Sequence, residues 1–330
     1  MRKIILSYDY ELFFGEKSGT VLKTLIEPTN LLLHNMEEYG FRGNFFVDWQ
    51  MLKYLKAAKT KRTDEDLELI TNQLKDIVKR GHRIELHIHP HWVDAIYNGD
   101  GTWDFSKYEH YSLNSLPDFE VTEMFKEGVN LLNGIARTVD PSYSICAFRA
   151  GGWAVQPFSK LTQGFLDTGI KIDSSVAYKA YGKNQYSYYD YTKAPNISSW
   201  PFDSDVCLPA VKGQFIEVPI TSYHRGLIDK VVDGIFRRCS NKLNPISDGT
   251  HYRNDLKEES HPRDSKSVGM MTLSRISPIT ILWNFLKSKN DLVVFIDHPK
   301  DYSISASQAM RLLSKHAITI MYKDFLNYEE

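Results

Sequence analysis

The chain is poor in cysteine and balanced in charge, and both properties exclude classes of protein. Its 330 residues include only three cysteines, Cys146, Cys207 and Cys239, and none belongs to a CxxC pair. The sequence therefore supports neither a disulfide framework nor a cysteine-based zinc motif. The 40 basic and 41 acidic residues leave a net charge of −1. Without a basic excess, nucleic acid is not an expected partner.

Long apolar runs are also missing. The first residues, MRKIILSYDYELFF, turn acidic after a short apolar run, which argues against a signal peptide. No run reaches the roughly 20 apolar residues that a membrane-spanning helix needs. A cytoplasmic protein without a transmembrane segment is the resulting expectation. Hydrophobic residues make up 42% of the chain, which suffices for a sizeable core.

Segments with strand and helix patterns alternate along the chain. Helices are predicted at 30–39, 64–80, 119–138, 157–168 and 228–239, and strands at 3–8, 44–48, 83–87, 144–148, 170–173, 214–220, 291–297 and 317–321. Such alternation is typical of a parallel sheet. Seven or eight units favour a single domain over residues 1–330, closed as a (β/α) barrel.

One segment departs from this alternation. Residues 240–268 are hydrophilic and aperiodic, which predicts a flexible surface insertion. The preceding helix is amphipathic and ends in Arg237 and Arg238. We expect it to pack through its apolar face, with the arginines compensating its dipole. A helix lying on a membrane surface is the alternative.

Polar residues follow the apolar strands at one end. Those at predicted carboxyl ends of strands are Asp9, Asp48, His87, Arg149, Asp173 and His298. In a (β/α) barrel the carboxyl ends of the strands form the active-site rim. The pattern therefore predicts an active site at that rim.

A histidine cluster ends the third predicted strand, in GHRIELHIHPHWV. Pro90 cannot donate to a sheet and stops the strand. If the strand continued, His87, His89 and His91 would share a face. If instead a turn begins after His87, then His87 and His91 can converge on one divalent ion, while His89 braces the loop. A third ligand would come from Asp9 or Glu11, unless both are solvated loop carboxylates.

Three further segments carry candidate residues. In FRAGGW, Arg149 can pair with Asp9 and hold it ionised. Trp153 can stack on a substrate ring or belong to the core or a lid. Asp173 supports the site or caps a helix. His298, after an apolar strand, is a general-acid candidate.

In this order, the segments SYDYEL, HIHPH, FRAGGW, DSSV and the strand ending at His298 resemble the motifs of the polysaccharide deacetylase family, the family 4 carbohydrate esterases. The resemblance extends roughly from Ile4 to His298. It implies a distorted (β/α) barrel with seven or eight parallel strands. It also implies metal-dependent hydrolysis of an N- or O-acetyl group on a glycan or glycan precursor.

The resemblance further implies roles for individual residues. Asp9 would be the general base and Arg149 its orienting partner. His298 would be the general acid, supported by Asp173, and His87 and His91 would be metal ligands.

One position departs from the family pattern. Where the family has a second, metal-binding aspartate, this chain has Tyr10. Either Glu11, the next residue, replaces that ligand or Asp9 binds the metal itself. We assign Tyr10, together with Trp92 and Trp153, to substrate binding.

The ligand chemistry favours zinc, with cobalt, nickel or ferrous iron as alternatives. Two other functions remain open. One is hydrolysis of a non-carbohydrate amide, and the other is sugar binding by a catalytically degenerate barrel. The sequence does not indicate an oligomeric state.

Overall fold

The computed structural model describes residues 1–252 and 267–328. Within these ranges the helices are α1 (Glu27–Glu38), α2 (Trp49–Ala58), α3 (Lys61–Lys79), α4 (Asp118–Arg137), α5 (Ser159–Thr168), α6 (Leu227–Cys239), α7 (Pro278–Lys287) and α8 (Ile304–Leu313). The strands are β1 (Arg2–Tyr10), β2 (Gly43–Asp48), β3 (Arg83–Ile88), β4 (Ile96–Tyr97), β5 (Trp103–Asp104), β6 (Ala147–Ala150), β7 (Ile172–Asp173), β8 (Tyr181–Lys183), β9 (Tyr188–Asp190), β10 (Trp200–Phe202), β11 (Phe215–Glu217), β12 (Ser222–His224), β13 (Val268–Met270), β14 (Leu292–Asp297) and β15 (Ala317–Thr319).

A curled parallel sheet forms the centre of the fold. Its strands run in the order β11, β7, β6, β3, β2, β1 and β14, and every neighbouring pair is parallel. β15 adds to β1 in parallel, and β10 pairs with β11 in antiparallel. The gap between the two ends is bridged at Thr221, whose backbone N–H donates to Val294 O at 3.0 Å. The predicted distorted barrel with seven or eight parallel strands is therefore confirmed.

Alternation along β1 separates the barrel interior from the helix layer. Ile4, Leu6, Tyr8 and Tyr10 join the large core between sheet and helices. Ile5 points the other way, into an interior cluster with the residues Phe46, Ala147, Ile172, Val294 and Tyr322. Because both faces of the sheet are buried, the strands read as nearly continuous apolar runs. Side chains at odd positions of β1 therefore face the interior.

The five predicted helices are present, with boundaries shifted by a few residues. α2, α7 and α8 were not predicted. Sequence periodicity missed α2 because its helix begins directly at Trp49, with no intervening loop after β2. Among the described residues, no helix is both long and apolar enough to cross a membrane.

The packing of α6 is opposite to the prediction. Its aspartates, Asp229 and Asp233, are buried, whereas four of its apolar residues are exposed, namely Leu227, Ile228, Val231 and Ile235. Asp233 accepts hydrogen bonds from Ser277 N (3.1 Å) and Thr280 Oγ1 (2.8 Å), which belong to the start of α7. Asp229 accepts from Asn284 Nδ2 at 3.0 Å. Because backbone N–H groups at a helix start need acceptors, the acidic face of α6 turns inward.

The first part of the predicted insertion, residues 240–252, contacts the barrel. Leu243 is buried, and Asp248 accepts hydrogen bonds from Thr20 Oγ1 (2.8 Å) and Thr24 Oγ1 (2.7 Å). Thr250 N donates to Lys17 O at 2.9 Å. These contacts tie the segment to the loop after β1. Residues 253–266 of the predicted insertion lie outside the described residues.

Candidate active site

Strand register gathers the predicted residues at one end of the barrel. His87 on β3 pairs with Asp48 on β2 and with Arg149 on β6. Asp297, the last residue of β14, pairs with Tyr8 on β1. Because parallel strands end at the same edge, side chains that follow these positions converge there.

Arg149 holds Asp9 by a buried ion pair. Arg149 Nη1 lies 2.7 Å from Asp9 Oδ1, and both side chains are almost fully buried. The guanidinium also donates to Ser174 O (2.8 Å) and Ser7 Oγ (2.8 Å), and it lies 4.2 Å from the centre of the Phe46 ring. Burial opposes ionisation of Asp9, but Arg149 and then His87 outweigh it and lower the pKa of this carboxyl. Asp9 is therefore ionised and fixed in orientation.

Glu11, His87 and His89 form a buried group of potential metal donors. Glu11 Oε2 lies 3.2 Å from His87 Nε2 and 2.8 Å from His89 Nε2. One donor atom of each residue lies within 4.8 Å of the others. His87 Nδ1 donates to Arg149 O at 2.7 Å, which leaves Nε2 as the atom for an ion once its proton is lost. One carboxylate and two imidazoles fit a divalent cation such as zinc.

The structure brings His89 into this group, whereas the predicted pair was His87 and His91. The short helical turn Pro90–Asp94 begins after His89, so His87 and His89 still share a strand face. His91 Nδ1 lies 3.2 Å from His89 Nδ1, and its ring packs 4.8 Å from those of Phe14 and Phe105. Burial, and then His89, lower the pKa of His91 well below its usual value. A neutral His91 can accept a hydrogen bond from Nδ1 of His89.

Lys300 is a site residue that the sequence reasoning missed. Its Nζ donates to Glu11 Oε1 at 2.7 Å and to Leu12 O at 3.1 Å. Burial alone would raise the pKa of Glu11, but Lys300 and then His89 lower it well below its usual range. One oxygen of Glu11 therefore contacts the ammonium, and the other faces the imidazoles. The signal was a lysine two residues after His298, in HPK.

His298 lies between the two carboxylates at the rim. Its Nε2 is 3.7 Å from Asp9 Oδ2 and 3.6 Å from Glu11 Oε1, and its side chain is 23% exposed. On the other side, Nδ1 is 3.8 Å from Asp301 Oδ2, which also lies within 3.3 Å of His251 Nε2. Burial and then Lys300 lower the pKa of His298. The ring thus has one edge on the carboxylates and the other on Asp301.

Asp173 was expected to support His298, but the structure gives it other partners. Asp173 accepts a hydrogen bond from Ser175 Oγ at 2.8 Å and shares a side-chain hydrogen bond with Glu217. Burial raises the pKa of both carboxyls, so the pair can share a proton. The carboxylate that faces Nδ1 of His298 is instead Asp301, at 3.8 Å.

Of the three predicted aromatic contacts, Trp153 lines a cavity, whereas Trp92 and Tyr10 are buried in the core. The cavity measures about 210 Å³ and is bounded by residues including Phe14, Tyr111, Trp153, Tyr189, His251 and Tyr252. Trp92 is 1% exposed and donates its Nε1 to Asp48 at 2.6 Å. Tyr10 is fully buried, and its hydroxyl donates to Gln73 at 2.8 Å. Their burial in the core leaves neither ring with a face for a sugar.

Comparison with known proteins gives matches among solved structures only. No family model matches the chain, and no curated protein matches it. A protein assigned as a polysaccharide deacetylase from Mycobacterium smegmatis matches at 13% identity and a TM-score of 0.46, over 99% of this chain and 89% of that one.

Two further matches come from other bacteria. A family 4 carbohydrate esterase from Streptomyces lividans, in complex with acetate, matches at 10% identity and a TM-score of 0.41, over 97% of this chain and 92% of that one. A CE4 family pseudoenzyme from Bacillus anthracis matches at 9% identity and a TM-score of 0.41, over 99% of this chain and 66% of that one. The names of these proteins are those of the family whose motifs the sequence resembles.

Proposed function

We propose that the chain is a metal-dependent hydrolase that removes an N- or O-acetyl group from a carbohydrate, either a glycan or a glycan precursor. The observation that supports this most is the spacing around His298 and Asp9. His298 Nε2 lies 3.7 Å from Asp9 Oδ2, and Asp9 Oδ2 lies 3.9 Å from His87 Nε2. A fixed carboxylate and a partly exposed imidazole thus flank the donor group of Glu11, His87 and His89. Acyl hydrolysis needs a base, an acid and an electrophile in this arrangement.

The donor group is suited to zinc, with cobalt, nickel or ferrous iron as alternatives. When bound, such an ion polarises the acetyl carbonyl and lowers the pKa of a water molecule. Glu11 would supply Oε2, and the two histidines would supply their Nε2 atoms. Arg149 O and His91 would fix the ring orientations from behind.

The chain's own side chains would carry out the proton transfers of the reaction. Asp9 accepts the proton of the attacking water, because Arg149 keeps it ionised and aimed at the donor group. His298, in its imidazolium form, would deliver a proton from Nε2 to the leaving amine or alcohol and be left as the neutral imidazole. Trp153 and its aromatic neighbours in the cavity offer flat apolar faces for a pyranose ring.

The function is tested by acetate release from the purified full chain. Substrates would include N-acetylglucosamine oligomers, O-acetylated sugars and a small acetylated amide, with zinc or cobalt added. We expect acetate from at least one carbohydrate, and we expect a chelator to stop the reaction. Release from the small amide alone would replace the carbohydrate assignment, whereas no release from any substrate would contradict hydrolysis.

A second candidate, a sugar-binding barrel without catalysis, is favoured by Lys300. Its ammonium already supplies positive charge to Glu11 at 2.7 Å, where an ion would otherwise do so. Elemental analysis separates the two functions. A stoichiometric metal supports the hydrolase, and a metal-free protein that binds sugar supports the second candidate.

Metal affinity is expected to rise with pH up to about 9. Burial disfavours the imidazolium of His87, but Asp9 and Glu11 outweigh it and raise its pKa to about 9 in the metal-free protein. Below that pH a metal must displace one proton, so apparent affinity should grow about tenfold per pH unit. Calorimetric titration with zinc between pH 6 and 8, in buffers of different ionisation enthalpy, measures both slope and proton release. An affinity that stays constant over this range would show that His87 is not a ligand.

A further inference from the structure

Hydrogen bonds of its aspartates hold α6 with its apolar side outward. Asp229 and Asp233 are one helical turn apart and face α7, where they accept bonds from Asn284, Ser277 and Thr280. Arg225 Nη2 adds an ion pair to Asp233 at 2.9 Å. The opposite side of α6 is therefore directed away from the protein by specific contacts.

The outward side of α6 is a strip of large aliphatic residues. Leu227 is 81% exposed and Ile228 is 72% exposed, and Val231 and Ile235 continue the strip over the next two turns. Their spacing places them on one face of the helix. α7, packed against the aspartate side of α6, exposes three large apolar residues of its own, Ile279, Trp283 and Leu286. Monomeric soluble proteins seldom expose a strip of four large aliphatic residues on one helix unless something binds there.

The exposed charged residues of α6 and α7 are all cations. α6 contains two acidic residues, and both are the buried aspartates. Its exposed charges are Lys230, Arg237 and Arg238. On α7 the charged residue is Lys287, whose Nζ lies 4.4 Å from the centre of the Trp283 ring. The exposed surface of the two helices therefore combines aliphatic residues and a tryptophan with cations alone.

We infer that α6 and α7 bind the surface of a lipid bilayer that contains anionic phospholipids. Aliphatic side chains and an interfacial tryptophan would enter the headgroup region, while the lysine and arginine stems extend their charges to lipid phosphates. A bilayer fits these charges better than a second copy of the chain, because a symmetric contact would oppose cations to cations. The inference does not depend on the proposed hydrolysis.

A cavity beside α7 supports an anionic headgroup as the contacting chemistry. It measures about 500 Å³ and is larger than the cavity at Trp153. Lys287 and Lys289 line it together with the hydroxyl-bearing residues Tyr178, Tyr223 and Ser222. Ammonium groups and hydroxyls are donors for phosphate oxygens.

Co-sedimentation of the full chain with vesicles tests the inference. The vesicles would be phosphatidylcholine alone or a mixture with phosphatidylglycerol. We expect binding to the mixed vesicles, at least tenfold weaker binding to phosphatidylcholine, and weaker binding as salt rises. The double variant Ile228→Glu/Val231→Glu should lose at least tenfold in bound fraction. Arg237→Glu/Arg238→Glu should lose binding to the mixed vesicles while leaving the apolar strip intact.

Leu166→Glu is the matched control, because Leu166 is a 48% exposed leucine on α5. It should bind like the unchanged chain, and circular dichroism verifies that all variants fold. Equal binding of all variants, or no binding to mixed vesicles, would overturn the inference. So would a dimer of the unchanged chain in light scattering that Ile228→Glu/Val231→Glu converts to a monomer, since the strip would then be a contact between copies.

Discussion

Asp9→Asn is expected to lower acetate release by about 10²- to 10⁴-fold, the usual contribution of a positioned general base. Asparagine keeps the size of the side chain and can still contact Arg149, but its amide cannot accept the proton of water. The 2.7 Å ion pair in the unchanged chain keeps this carboxylate ionised, so its loss removes the base without moving its neighbours. Rate measurements at saturating metal would show the effect in kcat.

Glu11→Gln is the informative comparison for Asp9→Asn. Glu11 lies between His87 and His89, so its variant should lose bound metal and activity together. Asp9→Asn should retain metal and lose activity. Elemental analysis of both proteins separates the roles. If Asp9→Asn also lost the metal, Asp9 would be a ligand rather than the base.

Arg149→Met is expected to destabilise the fold by about 3–5 kcal/mol, the usual cost of removing one partner of a buried ion pair. Methionine fills much of the space but leaves Asp9 buried without its cation. It also leaves the acceptors Ser174 O and Ser7 Oγ without the guanidinium. Urea unfolding measures the free energy of unfolding. The double variant Asp9→Asn/Arg149→Met should recover part of the loss, because no uncompensated carboxylate remains.

Arg80→Met is the matched control for Arg149→Met. Arg80 pairs with Glu37 at 2.6 Å, but both side chains are partly exposed to solvent. Its removal should cost less than about 1 kcal/mol, as is usual for surface pairs. Similar losses for Arg80→Met and Arg149→Met would mean that the Arg149 pair contributes little to the stability of the barrel.

The location of the candidate site could be predicted because a polar side chain in a buried strand costs free energy unless it is paired or has a function. Asp9, His87 and Arg149 each interrupt an apolar run near its carboxyl end, and register then brings them together. The grouping of His87 with His89 rather than with His91 was not predicted. It depends on where the strand gives way to a turn, and Pro90 marked that point only to within two residues.

The prediction that α6 packs through its apolar face was wrong for a different reason. Periodicity identifies which residues share a helix face, but not which face turns inward. The acceptors that α7 requires at Ser277 and Thr280 decided the matter, and α7 itself was not predicted. Trp92 shows the same limit, because its nearness to the histidines in sequence does not reveal that its ring enters the core.

The contact between Glu11 and Lys300 joins positions 289 residues apart, and Arg149 reaches Tyr322, 173 residues further along the chain. Contacts of such long range form late and slow the folding of a domain. During synthesis, the carboxylates near the N-terminus would emerge long before the cation and histidine that complete their surroundings. Until β14 pairs with β1, Glu11 lacks the ion pair with Lys300. Catalytic competence should therefore appear only with the last stage of folding, and refolding experiments should recover helical structure before activity.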